Sequence, residues 1–244
     1  IYVLKTQLQL LPLVAILVLF LVGPIVIIFV VSFWDYTEFS LVPDFVSTNY
    51  IELFESTVTY SIYFNTIKFA ALSWFFTLII GFAIAYFLAF HVRTLRWQVI
   101  LFLVCTIPFW TSNIIRMIAW IPVLGRHGLV NKFLLNLGIV DQPIEWLLYS
   151  DFAVVLAFVH LYTLFMVVPI FNSMMRIDKA VLEAARDAGA SAMQVLLHII
   201  IPLCRPGIAI GTIFVVSLVM GDFITVQAMS GGQSASVGVA MNHK

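Results

Sequence analysis

The chain has 244 residues, of which 63% are hydrophobic and 10% are charged, and twelve Lys and Arg residues balance twelve Asp and Glu residues. Soluble domains average about 45–50% apolar and about 25% charged residues, so this composition excludes an ordinary soluble domain, and it is too hydrophobic for a disordered chain. The lack of a basic excess also argues against nucleic-acid binding, which leaves a polytopic, all-α membrane protein as the expected fold class.

Five stretches are apolar and long enough to be considered as membrane-spanning helices, which need about 20 residues. They cover residues 6–34, 69–90, 97–115, 152–175 and 206–221. The fifth stretch is short, so we expect its helix to continue past Asp222 and to place that carboxylate near the membrane surface. We also expect a sixth span to be missing after the polar, Gly-rich residues 230–244.

The distribution of Lys and Arg predicts the orientation in the membrane, because these residues collect in cytoplasmic loops. One set of loops carries seven of them: Lys5, Arg93, Arg96, Arg176, Lys179, Arg186 and Arg205. The opposite set carries four, Arg116, Arg126, Lys132 and Lys244, or five with Lys68, which directly borders the second stretch on that side. The sequence therefore predicts a multi-pass protein whose N-terminus and segment 176–205 lie on the cytoplasmic side.

The segment 176–205 begins with the local signals of a short capped helix. Asp178 is placed to cap a helix over residues 179–188, which are mostly strong helix formers. Gly189 then supplies a residue that adopts the left-handed conformation at little cost and ends the helix. A sharp turn at Gly189 is therefore expected.

A second helix is predicted directly after this turn. Ser191 and Gln194 have the spacing of a capping box, which indicates a helix over residues 192–201 that Pro202 stops. Geometry alone favours an ordinary amphipathic hairpin at a membrane surface. The identities of the residues decide between these interpretations.

Those identities resemble the EAA signature of the permease subunits of ATP-binding-cassette (ABC) importers. The matching positions are Glu183, Ala184, Ala185, Gly189, Ile199, Ile201 and Pro202, with Ile201 where the family pattern has Leu. Further stretches resemble the spermidine/putrescine branch of that family: residues 116–120, 128–138, 221–225 and the pair Gly231-Gly232. Val226 stands where those permeases have Pro, and the resemblance extends from about residue 49 to the end of the chain.

The resemblance implies the fold of a type I ABC-importer transmembrane domain. It implies an N-terminal helix with the first periplasmic segment over residues 1–64 and a core permease domain over residues 65–244. Segment 176–205 would be the loop that contacts a cytoplasmic ATPase. The residues implied in this coupling are Glu183, Ala184, Ala185, Gly189, Ala190 and Ser191.

The resemblance also implies the activity and the partners. The chain would move a small solute, such as a polyamine or a similar cationic amine, into the cytoplasm by alternating access across the bacterial inner membrane. Its partners would be a second, homologous permease subunit, two ATPase subunits and a periplasmic substrate-binding protein, within membrane lipid and without nucleic acid. ATP and Mg would be bound by the ATPases, and this chain would bind no cofactor or metal.

Five residues are candidates for the translocation pathway: Asp222, Phe223, Trp110, Trp120 and Tyr162. Asp222 could neutralise a cationic solute, because an intramembrane charge is often functional, or it could simply be solvated at the outer membrane surface. Tryptophans near span ends usually anchor the chain at the interface, although a cation can also pass over their ring faces.

Other polar side chains are expected to have structural roles. Glu183 is placed to form ion pairs with Lys179 and Arg186. Arg116 is expected to pair with an acid on the outer side, and His160 to form a hydrogen bond with a neighbouring span.

No enzymatic motif is present: we find no Walker A loop, no H-E-x-x-H, no G-x-S-x-G and no metal-ligand spacing around Cys105 or Cys204. We therefore expect that the chain is not an enzyme. Three alternatives remain: import of another small organic solute or ion by the same family, a self-sufficient secondary transporter or channel, and an intramembrane enzyme. The second needs ionisable relays or inverted repeats, and the third needs a nucleophile–base pair.

Overall fold

A computed structural model describes residues 2–37 and 40–231 of the chain. Within these ranges the elements of regular structure are helices, apart from one short antiparallel hairpin in which β1 (Asp35–Thr37) pairs with β2 (Ser40–Val42). The all-α fold class predicted from the composition is confirmed. The chain divides into two compact units, Ile1–Tyr60 and Ser61–Lys244. The functional division expected at residue 64 stays a prediction.

The first unit contains one long apolar helical segment followed by the hairpin and a short helix. The segment consists of α1 (Tyr2–Leu17), a π-helical turn (Val18–Val22) and α2 (Gly23–Val31). The short helix α3 (Thr48–Glu55) follows, and the Asn49 amide donates to the carbonyl of Trp34 at 2.8 Å. This hydrogen bond ties the start of α3 to the residues that follow α2.

The second unit contains the remaining helices. In chain order they are α4 (Thr57–Tyr86) with a π-helical turn (Phe87–His91), α5 (Leu95–Thr106) with a 3₁₀ turn (Ile107–Trp110), α6 (Asn113–Ile118), α7 (Ile121–Leu124), α8 (Leu129–Asn136), a 3₁₀ turn (Glu145–Leu147), α9 (Asp151–Met174), α10 (Lys179–Asp187), α11 (Ala192–Val195), a π-helical turn (Leu196–Ile200), α12 (Ile201–Gly221) and α13 (Phe223–Ser230). Of these, α4 already begins within the first unit.

The core of the second unit lies around α9, which packs against α12 and α13. Phe158, Met166 and Ile170 of α9 are completely buried. The side chain of Met166 lies against Gly81 of α4 and Gly211 of α12, where it fills space that a larger residue would occupy. Small residues let helices approach closely in lipid, where packing rather than water exclusion drives association.

Four helical segments are long and apolar enough to cross a membrane: Leu10–Val31, Thr57–His91, Glu145–Met174 and Ala192–Gly221. A fifth span results if the pair Leu95–Trp110 and Asn113–Asn136, bent by 90°, counts as one. The number of spans expected from the sequence therefore fits the described residues. The expected sixth span would follow residue 231 and lies outside them.

The third span, predicted over residues 97–115, is not one continuous helix. The chain forms a 3₁₀ turn that contains Pro108, becomes extended at Thr111 (φ −92°, ψ 148°) and then begins α6 in a new direction. Proline cannot donate the backbone hydrogen bond that would continue the helix. Hydropathy did not show this break because the residues on both sides of it are apolar.

The prediction that Pro202 stops a helix and that Pro206 begins the next was wrong. Residues Ala192–Gly221 form one continuous helical segment of 30 residues. Pro202 occupies the first turn of α12, after a π-helical turn in which the Ile201 N–H bonds to the Leu196 carbonyl. Because that turn shifts the hydrogen-bond register, the missing N–H of the proline is accommodated.

The fifth span also does not continue through Asp222. Its helix ends at Gly221, and Asp222 adopts an extended conformation (φ −89°, ψ 99°) before α13 begins at Phe223. The Asp222 carboxylate accepts the backbone N–H of Thr225 and so caps α13. An N-cap interaction of this kind competes with helix continuation, which explains the break.

Candidate functional site: the elbow and the Asp222 pocket

The first half of the predicted bend has the expected caps at both ends of α10. Asp178 Oδ1 accepts the Ala180 N–H at 3.0 Å at the N-terminus. At the other end Gly189 has φ +83°, its N–H bonds to the Arg186 carbonyl at 2.9 Å, and the Ala190 N–H bonds to the Ala185 carbonyl at 3.0 Å. These two bonds form a Schellman motif, which satisfies carbonyls that would otherwise lack partners.

The second half is fixed by the capping box that the sequence predicts. The Ser191 N–H donates to Gln194 Oε1 at 2.8 Å, and the Gln194 N–H donates to Ser191 Oγ at 3.3 Å. The helix that begins here runs without interruption to Gly221. We name residues 178–195 the elbow: a short helix, a left-handed glycine and the capped start of a long helix.

The elbow presents most of its signature residues to the surface. Glu183, Ala184, Gly189 and Ser191 are exposed, and Ala185 and Ala190 are half-buried. Leu182 is buried and holds α10 against the rest of the second unit. A partner protein could therefore reach the signature residues without any unfolding.

The predicted ion pairs of Glu183 with Lys179 and Arg186 do not form in the described part of the chain, where the ion pairs are Lys68–Asp151 and Arg126–Glu145. Exposed side chains gain little from such pairing, so their spacing on a helix does not compel it. The Glu183 carboxylate is consequently available to a partner.

The second candidate site lies at the opposite end of the helix that begins in the elbow. A cavity of about 370 Å³ opens beside the break between α12 and α13. Its lining includes Asn113, Met117, Tyr162, Ser217, Asp222 and Thr225. The start of α6, the end of α12 and the start of α13 thus contribute to one cavity, which we name the Asp222 pocket.

The Asp222 carboxylate is held by three donors. The Tyr162 hydroxyl and the Thr225 hydroxyl each donate to Oδ2 at 2.7 Å, and the Thr225 N–H donates to Oδ1 at 2.9 Å. Hydrogen bonds to an ionised acceptor are stronger than neutral ones, so this arrangement orients the carboxylate. The structure thereby brings together two of the predicted pathway residues, Asp222 and Tyr162.

The other predicted pathway residues lie elsewhere. Phe223 is half-buried as the first residue of α13, and Trp110 is 87% exposed at the end of its 3₁₀ turn. Trp120 donates from its indole nitrogen to His160 Nδ1 at 3.0 Å. None of these three is among the residues that line the Asp222 pocket. His160 was expected to form a hydrogen bond with a neighbouring span, and its partner Trp120 lies directly before α7, in the bent helix pair that counts as a span only if its two halves are joined.

Arg116 lacks the acidic partner that we expected. Its side chain is buried and donates to the Asn113 side chain, and its Nε has no partner among the described residues. The reason is local: α6 is a short helix in which Asn113 and Arg116 are three positions apart, so the guanidinium reaches this amide first.

Sequence reasoning missed an ion pair between α4 and α9. Lys68 Nζ lies 2.6 Å from Asp151 Oδ2. Lys68 directly precedes one predicted apolar stretch and Asp151 directly precedes another. Opposite charges at the same end of two spans were the signal that could have indicated this contact. The hydrogen bonds from Thr225 to Asp222 were also missed. Thr225 follows Asp222 by three positions, which is the spacing between an N-cap residue and the backbone N–H that it accepts.

No group of three or more His, Cys, Asp or Glu side chains suited to a metal ion occurs in the described residues, and Cys105 and Cys204 are free thiols. The arrangement therefore consists of an exposed elbow, a long helix and a pocket with one oriented carboxylate. Such an arrangement can transmit movement and bind a solute.

These features define the class of protein as a helical membrane permease subunit. No family model matches the chain. It is 35% identical over 223 residues to the spermidine/putrescine transport system permease protein PotB of Escherichia coli strain K12, covering 91% of this chain and 80% of that protein. The PotB of Salmonella typhimurium strain SL1344 has the same identity, with 76% of its length covered.

A more distant relative and a solved structure agree with this similarity. The inner membrane ABC transporter permease protein YdcU of Escherichia coli strain K12 is 28% identical over 206 residues, which cover 80% of this chain and 65% of YdcU. A chain of a bacterial alginate ABC transporter, crystallised with an alginate-bound periplasmic protein, has the same fold with a TM-score of 0.66, 20% identity and coverage of 93% and 74%. The chain belongs to the family of ABC-importer permease subunits, in its spermidine/putrescine branch.

Proposed function

We propose that this permease subunit moves a small cationic amine of the polyamine type into the cytoplasm. Two findings support this solute. The relatives that are 35% identical are spermidine/putrescine permeases. In addition, the Asp222 pocket contains one oriented carboxylate, which can neutralise an ammonium group in a region where an unpaired charge is costly.

The partners proposed are a second, homologous permease subunit, two cytoplasmic ATPases and a periplasmic substrate-binding protein. The chain carries none of the nucleotide-binding or catalytic motifs sought in its sequence, so ATP and Mg are assigned to the ATPases. The loops on the side of the elbow contain seven Lys and Arg residues, more than those on the opposite side, which supports a cytoplasmic elbow and N-terminus in the bacterial inner membrane. The pair of permeases would enclose the pathway.

The observation that carries the proposal is the capped elbow with its exposed signature residues. Its capping box joins it directly to a helical segment of 30 residues that ends at Gly221, beside the Asp222 pocket. At 1.5 Å per residue such a segment is about 45 Å long. Movement of the elbow by an ATPase would therefore reach the pocket as a rigid-body displacement of one helix, a form of two-state switching.

The proposal is tested by isolating the tagged chain from its native membrane and reconstituting the isolated complex into proteoliposomes. We expect an ATP hydrolase and a second permease to co-purify, and ATP to drive uptake of spermidine or putrescine. Glu183→Lys should abolish uptake and leave the folded permease in the membrane. A chain that purifies alone and transports without ATP would contradict the proposal.

The solute is tested separately on the associated binding protein. Thermal unfolding of that protein would be followed with polyamines, amino acids and opine-like compounds. We expect polyamines to raise its unfolding temperature because a ligand that binds only the folded state stabilises it. Stabilisation by anionic compounds alone would refute a polyamine solute while leaving the ATP-driven mechanism intact.

A further inference from the structure

A second cavity, of about 550 Å³, lies between the elbow, the end of α4, the start of α5 and the end of α9. Part of its wall is apolar, with Tyr86, Phe90 and Leu182 among the lining residues. Another part is basic and contains Arg93, Lys179 and Arg186. We name it the basic cavity.

The charges of the basic cavity are unbalanced. Three cations line it against one carboxylate, that of Glu183. None of these four side chains forms an ion pair with another of the described residues. Like charges that line a common space repel one another, and an anion placed among them would relieve this repulsion.

The segment that carries Arg93 is held in place. Gln98 is only 9% exposed, and its amide nitrogen donates to the carbonyls of Ala89 and Val92 at 3.3 and 3.1 Å. These bonds fix the chain on both sides of the turn between α4 and α5. Arg93 therefore projects from a fixed backbone, which lowers the entropy lost when its side chain binds a ligand.

We propose that the basic cavity binds a phosphate-bearing ligand. Arginine guanidinium groups form paired hydrogen bonds with phosphate oxygens, and lysine contributes a point charge. The apolar part of the wall suits the glycerol and upper acyl carbons of an anionic phospholipid, and a soluble phosphate ester has the same headgroup chemistry. Since the cavity borders α10, an occupant contacts the elbow, and this goes beyond the solute and the ATPase discussed above.

Binding is measured on the full chain in neutral detergent, together with any subunits that accompany it, using a fluorescent short-chain phosphatidylglycerol. Phosphatidylcholine with the same label is the reference. We expect phosphatidylglycerol to bind more tightly, and Arg93→Gln and Lys179→Gln each to weaken its binding about fivefold, the equivalent of about 1 kcal/mol. Arg93→Lys, which keeps the charge, should restore part of the affinity.

Two matched variants control for general surface charge. Arg96 and Arg176 are exposed, lie three positions from Arg93 and Lys179 respectively, and do not line the cavity. Arg96→Gln and Arg176→Gln should leave the affinity unchanged, and all variants should retain the wild-type unfolding temperature. Equal weakening by the control variants, or no weakening by Arg93→Gln and Lys179→Gln, would overturn the proposal.

Competition identifies the source of the phosphate. Displacement of the fluorescent lipid by glycerol 3-phosphate would indicate a soluble phosphate ester. Resistance to glycerol 3-phosphate together with displacement by unlabelled phosphatidylglycerol would indicate the membrane lipid. Because this assay uses neither transport nor ATP, its failure is distinguishable from failure of the proposed import activity.

Discussion

Gly189 has a backbone φ of +83°, and a Cβ atom placed there would meet no other atom within 4 Å. A side chain at this position would thus be penalised by backbone strain, roughly 1–2 kcal/mol, rather than by a clash. We predict that Gly189→Val shifts the elbow and lowers ATP-driven uptake at least about tenfold, a change worth 1.4 kcal/mol. ATP hydrolysis and uptake measured in the same proteoliposomes would show the two activities uncoupled.

Gly138 offers a matched control for that variant. It has φ +67° and equally open surroundings, but it follows α8, far along the chain from the elbow. Gly138→Val introduces the same kind of strain and should preserve coupling. If both variants lose uptake to the same extent, backbone strain rather than the position of the elbow is responsible.

Asp222 has two roles that one substitution can separate. Asn is as good an N-cap as Asp, so Asp222→Asn should keep α13 capped while removing the negative charge from the pocket. We predict that the apparent affinity for a diamine in the uptake assay falls about tenfold. The unfolding temperature should fall only slightly, because α13 keeps its cap while the Tyr162 and Thr225 hydroxyls lose a charged acceptor.

The control is Asp141→Asn, which should have no effect on uptake. Asp141 is exposed and does not line the pocket. An unchanged affinity in Asp222→Asn would mean that the carboxylate only caps a helix.

At the residue scale the sequence predicted those hydrogen bonds that join residues close together along the chain. The Asp178 cap and the Ser191–Gln194 capping box are confirmed because each joins atoms two or three positions apart. The bond between Tyr162 and Asp222 spans sixty positions, and no local rule predicts it. Glu183 shows the converse case, since favourable spacing alone does not form an exposed ion pair.

The packing of α12 on α9 depends on Gly207. A Cβ atom at this position would lie 2.4 Å from the Pro169 carbonyl oxygen and 2.4 Å from Ser173 Oγ. We predict that Gly207→Ala destabilises the second unit by roughly 1–3 kcal/mol, because the two helices must separate to make room. The measurement is the thermal unfolding temperature in detergent.

Gly221, the last residue of the same helix, has no atom within 4 Å of an added Cβ. Gly221→Ala should therefore leave the unfolding temperature unchanged or slightly raised. A similar loss of stability in both variants would contradict the close-packing explanation, because Ala has the higher helix propensity at both positions and only Gly207 is crowded.

At the scale of helices, proline was the least reliable signal for where a helix ends or bends. Pro202 was predicted to stop a helix, yet a π-helical turn before it lets the helix continue. Pro108 lies within residues 97–115, which were predicted to form one span, and the chain bends by 90° shortly after it. The outcome at each proline depends on whether neighbouring helices can accommodate a shifted hydrogen-bond register, which is a tertiary property.

For the whole molecule, the basic residues predict opposite sides of the membrane for the elbow and for the loop that contains Gln142. In a background with Cys105 and Cys204 replaced by Ser and Ala, we predict that a membrane-impermeant maleimide applied to intact cells labels Gln142→Cys. Ala192→Cys, equally exposed, should react only after permeabilisation. The reverse pattern would contradict the cytoplasmic elbow and, with it, contact between the elbow and an ATPase.

The sequence by itself determined that the chain is a helical membrane protein, that its described residues hold four or five apolar spans, and that it carries a capped elbow. These properties follow from hydropathy and from contacts within a few residues, both of which can be read along one dimension. Only the tertiary structure decided where the third span bends, that α12 ends beside Asp222, and that Tyr162 orients this carboxylate. The bond between Tyr162 and Asp222 joins groups that are sixty positions apart and that meet only when α9 packs against α12 and α13. At Pro108 and at Asp222 the local sequence allows either a continued or a broken helix, and packing selects the break.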